Sequence, residues 1–270
     1  MSGWRLRLRQ PPDLRIDLRG ITPVALAGLS ATEVAQLSVG YGNAMLPLAE
    51  FFQPDPIAAE DLLVFEGDLS RGDRIGWQMT GGRITVEGPA GHYAGGCMSG
   101  GELVVKGHAG LLAACEMVGG SVEVDGDVGD FAAGTLPGSM DGMRGGSFIV
   151  KGNAGERFGD RMRRGTAVVF GDAGDFLASR MVAGTIAIGG GVGAHPGFGM
   201  RRGSLVFAGA APVVAPTFVT SGAEAPVFWQ LLARDLARHG GPFASLSTRR
   251  VERHLGDLAV DGRGEIILAR

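Results

Sequence analysis

Seven arginines, Arg144, Arg161, Arg163, Arg164, Arg180, Arg201 and Arg202, crowd into one stretch of this 270-residue chain. Planar guanidinium forks match carboxylates, so arginine at this density is the chemistry of holding an acidic ligand or an acidic partner face. A solvated corner balanced by nearby acids is the plainer use of the same residues. A second group is acidic: Asp127, Asn153 and Asp172 recur at one offset, and Asp130, Glu156 and Asp175 at another. Carboxylates stacked at about 5 Å repel unless calcium, Arg157, Arg161 or Arg180, or solvent neutralises them. No catalytic order emerges elsewhere. His92, His108, His195, His239 and His254 occupy unrelated positions, and no Ser/His/Asp succession forms. Cys97 and Cys115 lie 18 residues apart without a CxxC partner, which points to reduced, buried thiols and not to zinc or a disulfide. A binding surface is therefore expected, with neither catalytic residues nor metal ligands.

These offsets refer to a ruler. Met79, Met98, Met117, Met143, Met162, Met181 and Met200 are spaced 19, 19, 26, 19, 19 and 19 residues apart. A glycine stands three residues after each, from Gly82 to Gly203, and another nine residues after each, from Gly88 to Gly209. A fixed period with fixed internal chemistry predicts a stack of like units, a solenoid of roughly 19-residue coils. Between the glycines run alternating apolar pairs such as Ile84/Val86, Val122/Val124 and Ile186/Ile188, each long enough for one brief strand. Strands of successive units then pair in parallel at about 4.8 Å, so every residue stacks on its counterpart. The methionines fill the core in this reading, although thioethers also bind soft metals. The glycines at Gly88, Gly107 and their equivalents allow either a positive φ or close backbone passage.

The fold class expected is all-β with short flanking helical segments. Residues 1–58 form an N-terminal cap and flank, 59–210 the repeats, and 211–270 a C-terminal flank. In the first flank Ser30 and Glu33 have capping-box spacing. In the last, Val227–His239 reads as an amphipathic helix stopped by Gly240 and Gly241. Leu62–Gly67 reads as an irregular earlier unit that caps the stack. The 26-residue unit is seven residues longer than the others, and the insertion, around Gly134–Gly142, makes a loop on one face and a candidate contact element. Val104, Ile149, Val168, Ala187 and Val206 should face outward yet are apolar, so a terminal segment or another subunit must cover them.

Composition narrows the classes. With 45% hydrophobic residues the chain can bury a real core, so its 48 glycines serve geometry and not disorder. A net charge of −3 and a pI near 6.0 argue against nucleic-acid binding. The start alternates charged and apolar residues without the apolar core of a signal peptide, which reads as cytoplasmic. Leu205–Val219 carries Pro212 and Pro216 and is too short to span a bilayer.

The repeated MxGGxhxVxGxxG (h apolar), the upstream GLSATEVAQLSVGYGNAMLPLAEFF and the tail RRVERHLGDLAVDGRGEIIL together resemble the C-subunit family of formylmethanofuran dehydrogenase, most closely its members in bacterial formyltransferase/hydrolase complexes. The repeats alone also look like the glycine-rich C-terminal domain of large glutamate synthase subunits. Gly42-Asn43 and the tail from Gly256-Asp257 to Gly264-Glu265 favour the first. The resemblance implies a right-handed parallel β-helix without an active site of its own, a scaffold assembled with three other subunits. The complex would pass a formyl group from formyl-tetrahydromethanopterin to methylofuran and hydrolyse it to formate in formaldehyde oxidation. Transfer and metal-assisted hydrolysis would each belong to another chain. Methylofuran carries a polyglutamate arm, so the resemblance also implies a role for the seven arginines: holding that arm or an acidic subunit face. The C-subunit of a molybdenum or tungsten formylmethanofuran dehydrogenase, with its pterin on another chain, is the alternative within the family. A stand-alone β-helix enzyme acting on polysaccharide is the alternative of another class, supported by the acidic columns alone. A left-handed hexapeptide acyltransferase would need 18 residues per coil, and a glutamate synthase would need further domains that 270 residues cannot hold.

Overall fold

The apolar pairs of each repeat do form strands, and the repeat spacing sets their register. In the computed structural model, which describes residues 3–221 and 226–270, β1 (Gly3–Leu8) and β2 (Phe52–Ile57) precede eight repeat strands. These are β3 (Leu62–Glu66), β4 (Arg83–Glu87), β5 (Glu102–Val105), β6 (Ser121–Val124), β7 (Arg144–Val150), β8 (Arg164–Val169), β9 (Thr185–Ile188) and β10 (Ser204–Phe207). With β11 (Val219–Thr220), β12 (Val251–Gly256) and β13 (Gly264–Ala269) they make a 13-stranded sheet in which β3 to β10 are neighbours in chain order. All seven of those pairings are parallel. Ile84 thus lies on Leu103, then Val122, Phe148, Ala167, Ile186 and Leu205, each of them fully buried.

Two further lines join the repeats. Single parallel bridges run Leu69, Ala90, Ala109, Val128, Ala154, Ala173, Val192. On another side, Ala114 N donates to Ala94 O, Ala133 N to Ala113 O and Ala178 N to Phe158 O, each at 2.8 Å. Between these lines sit the seven methionines, all at most 1% exposed. Each buried side chain of this size contributes about 1.5–3 kcal/mol.

The two glycine columns turn out to work differently. Three residues after the methionines φ is positive, from +79° at Gly82 to +109° at Gly184. Nine residues after, it is not, and the reason is close approach: a Cβ on Gly126 would lie 2.9 Å from the backbone carbonyl carbon of Gly107.

Residues 62–67 do not close the stack, contrary to expectation. β1 pairs parallel with β3, setting Trp4 on Leu63 and Leu6 on Phe65, and β2 then runs antiparallel along β1. The outermost strand carries Pro54 and Pro56, which cannot donate to a further strand. A four-stranded sheet of Ala44–Pro47, Ser38–Tyr41, Ile16–Asp17 and Gly72–Asp73 flanks this end. Nearby are α1 (Pro23–Leu26) and α2 (Ala31–Ala35), the latter with the Ser30/Glu33 capping box formed. At the other end β13 continues the parallel ladder from β10, and β12 and β11 follow antiparallel.

The outward apolar stripe is covered by the chain itself over its later half. α3 (Pro226–Ala237) lays Trp229, Ala233 and Leu236 over Val168, Ala187, Val206 and Ile267, helped by Phe243 and Leu246. Upstream, Val104 and Ile149 remain half-buried. No helix among the described residues is long and apolar enough to cross a membrane.

Candidate functional site

The arginines gather because of where they sit around each buried methionine. Residues one and two after it leave the core at the mouth of a strand, which places Arg144, Arg163, Arg164, Arg201 and Arg202 outward and exposed. Arg144 and Arg164 are direct cross-strand partners. Arg161 and Arg180 stand one before their methionines, both at φ +55°, a left-handed turn that aims them at the same edge. All seven line two adjoining grooves that share Arg163, Val182 and Arg201. The first, of about 460 Å³, is finished by Met140, Phe198, Asp257 and Val260. The second, of about 690 Å³, holds Arg144, Arg164 and Arg202 with Asp141, Val118 and Ala183.

Carboxylates balance only part of this charge. Asp160, almost wholly buried, takes Arg180 Nη2 at 2.8 and 3.0 Å and also the Ser179 hydroxyl, and Arg161 Nε lies 3.9 Å away. Arg163 pairs with Asp141 of the inserted loop. The sulfur of Met140 accepts from Arg161 Nη1 at 2.9 Å. Among the described residues Arg144, Arg164, Arg201 and Arg202 meet no carboxylate. Asp257 is spent on backbone: its oxygens accept from the amides of Gly199 and Ala259, both at 3.0 Å. Burial works against its charge, yet hydrogen bonds from Thr217, Ala259 and Gly199 hold the carboxyl below the usual carboxylate range.

The acidic columns prove to be rungs, with none of the three arginines proposed to neutralise them doing so. Asp127 Oδ1 accepts the amide of Asn153 at 2.7 Å, Asn153 Oδ1 that of Asp172 at 2.8 Å, and Asp172 Oδ1 that of Gly191 at 2.6 Å. Asp130 and Asp175 do the same for Glu156 and Ala194. A side chain of one repeat thus satisfies a turn amide of the next, where no strand partner exists. Arg157 lies instead over the rings of Phe176 and Phe131, at 4.7 and 5.9 Å.

Two histidines belong to this scheme: His108 Nδ1 accepts from Asp127 N at 2.9 Å and His92 Nδ1 from Leu111 N at 3.0 Å. The others are dispersed, His195 on the Phe176 ring and His254 beside Glu252. Burial pushes both cysteine thiols up, Cys115 strongly, and both are free. Among the described residues no three His, Cys, Asp or Glu side chains gather to hold a metal ion.

Sequence reasoning placed the arginines on one edge but missed Asp160, Phe198 and the tail turn Asp257–Val260. The sequence signal for the first was an acid beside Arg161, two residues before a buried methionine. The tail turn left no local signal, since its partners lie 58 residues upstream.

The geometry defines a class: a mostly parallel β protein of stacked repeats bearing an arginine-lined groove. No protein-family model matches the chain. A crystal structure of the formyltransferase/hydrolase complex FhcABCD from Methylorubrum extorquens, in complex with methylofuran, contains a chain that superposes with a TM-score of 0.92 at 42% identity, covering 98% of this chain and 99% of that one. The Fhc C-subunit of the formyltransferase/hydrolase complex of Methylorubrum extorquens is 43% identical over 86 residues, 32% of each chain. The C-subunit of the molybdenum-containing formylmethanofuran dehydrogenase 1 of Methanosarcina barkeri is 42% identical over 83 residues, 29% of this chain and 28% of that protein. The sequence matches thus span about a third of these relatives' own length. The chain belongs to the C-subunit family of formylmethanofuran dehydrogenase.

Proposed function

We propose that this chain is the C-subunit of a cytoplasmic formyltransferase/hydrolase complex, a scaffold that performs no chemistry itself. The observation that carries this reading is likeness over the whole chain, 98% of it at 42% identity, to a chain of a complex solved with methylofuran. The three lines of pairing between repeats support a right-handed parallel β-helix as its architecture. Its partners are the three other subunits of an FhcABCD-type assembly. Together they transfer formyl from formyl-tetrahydromethanopterin to methylofuran and hydrolyse it to formate, with a metal on another of the four. The arginine edge holds the polyglutamate arm of methylofuran or an acidic face of a neighbour, which its four guanidiniums without carboxylate partners support.

Reconstitution with and without this chain tests the proposal. Formyl transfer and hydrolysis should appear with all four subunits, fall when this chain is left out, and be absent from this chain alone. Activity from the isolated chain would overturn the scaffold reading. Replacing Arg163, Arg164 and Arg202 by alanine together should lower retained methylofuran or loosen a partner, and unchanged retention of both would remove the arginine edge from the proposal.

A further inference from the structure

The first groove has an apolar wall that anion binding leaves unused. Met140 is 66% exposed, Phe198 56% and Val260 42%. They arrive from three distant stretches, the inserted loop, the turn before Met200 and the tail turn, and Val182 joins them in the lining. On the sheet face α3 hides Val168, Ala187 and Val206, whereas no described segment covers the groove residues. Here the chain leaves three large ones open around one concavity.

The polar half is equally specific. Four arginines line this groove; Asp160 engages Arg161 and Arg180, and Asp141 engages Arg163. Of these four only Arg201 meets no carboxylate among the described residues. The lining contains neither lysine nor glutamate. Arginine with methionine and phenylalanine around a concave, lysine-poor site is the composition of an interface's energetic centre.

We infer that this groove docks a segment of a partner protein presenting one carboxylate beside a bulky apolar side chain. The carboxylate forks onto Arg201, and the apolar side chain seats among Met140, Val182, Phe198 and Val260. The inference rests on reading the chain as one member of a hetero-oligomer and goes further by placing a contact. A second copy of this chain fits worse, because apposing the same edge sets arginine against arginine. A small anion would use Arg201 and leave the wall bare.

The test uses the assembled complex, with the photoreactive residue benzoylphenylalanine in place of Met140, Phe198 or, as a control, the 91% exposed Val213. Irradiation should join positions 140 and 198 to one and the same partner, through a peptide holding Asp or Glu within a few residues of a large apolar side chain. Position 213 should give no such adduct. Arg201→Glu should weaken retention of that same partner about tenfold or more in salt washes, as loss of an interfacial charge pair does, while Val213→Glu leaves it unchanged. An intact complex with no partner adduct at 140 or 198, an adduct to a second copy or to methylofuran, or unchanged retention in Arg201→Glu would overturn the inference. If the unmodified chain forms no complex, the scaffold reading falls first and the dock with it.

Discussion

Arg180 clasps Asp160 through Nη2 at 2.8 and 3.0 Å, although the carboxylate side chain is 2% exposed and the arginine 43%. The pair is half in water, which limits the loss when it is broken. Asp160→Asn should lower unfolding free energy by about 1–2 kcal/mol, less than the 3–5 typical of a wholly buried pair. Asp141→Asn, which frees the exposed Arg163, should change it by less than about 0.5 kcal/mol. Urea midpoints of the two variants check the ranking, and equal shifts would contradict it.

The rung columns predict a chemical equivalence. Asp172→Ala strands the Gly191 amide at the turn and should cost about 1 kcal/mol. Asp172→Asn should be close to neutral, because Asn153 already performs the same task one repeat earlier. Thermal melts with calcium and with chelator should coincide. A calcium-dependent rise in Tm would restore the cation reading of these acids.

His92 carries a pH dependence of known sign. Burial and then the Arg15 charge lower its pKa from the usual 6.5, against an opposing pull from Asp73. Its Nδ1 must stay unprotonated to accept from Leu111. The folded state therefore binds its proton less readily than the unfolded chain, and stability falls as pH drops below 6.5 towards the lowered folded value. Tm measured against pH should decline less steeply there in His92→Asn, while a profile identical to the parent's would exclude this histidine as a source.

Two glycines of like backbone but unlike surroundings separate strain from crowding. Gly120 has φ +83°, and a Cβ there would lie 2.6 Å from Gly101 O and 2.8 Å from Met98 Cε. Gly138 has φ +85° with nothing within 4 Å. Alanine at 138 should cost about 1 kcal/mol for the left-handed turn. Alanine at 120 should cost that plus about 1–3 kcal/mol of overpacking, as denaturant midpoints would show.

Much of this fold was written in spacing. A 19-residue offset places Leu103 on Ile84 and Val122 on Leu103 because like positions stack, so the parallel register followed from counting. The Ser30 cap and the α3 segment were legible for local reasons, a side-chain acceptor three residues from the amide that donates to it and an apolar face of period 3.6. β1 was not. Its partner strand begins more than fifty residues later, and nothing in GWRLRL specifies Leu63 and Phe65 as its neighbours.

The site divides the same way. Arginine offsets from the methionines predicted a shared edge, and the structure brings all seven to two adjoining grooves. Which arginines are already neutralised was invisible, since Asp160 and Arg180 sit at different offsets of successive repeats. The closing wall depends on Asp257 reaching Gly199 across 58 residues, a tertiary contact without a periodic cue.

Whether this chain is a structural member of a larger assembly and not a free-standing protein is tested most directly by native mass spectrometry of the chain purified by a tag from its own cells. The scaffold reading predicts one assembly containing this chain and three different subunits, with methylofuran bound. A monomer or a pure homo-oligomer as the dominant species would contradict it.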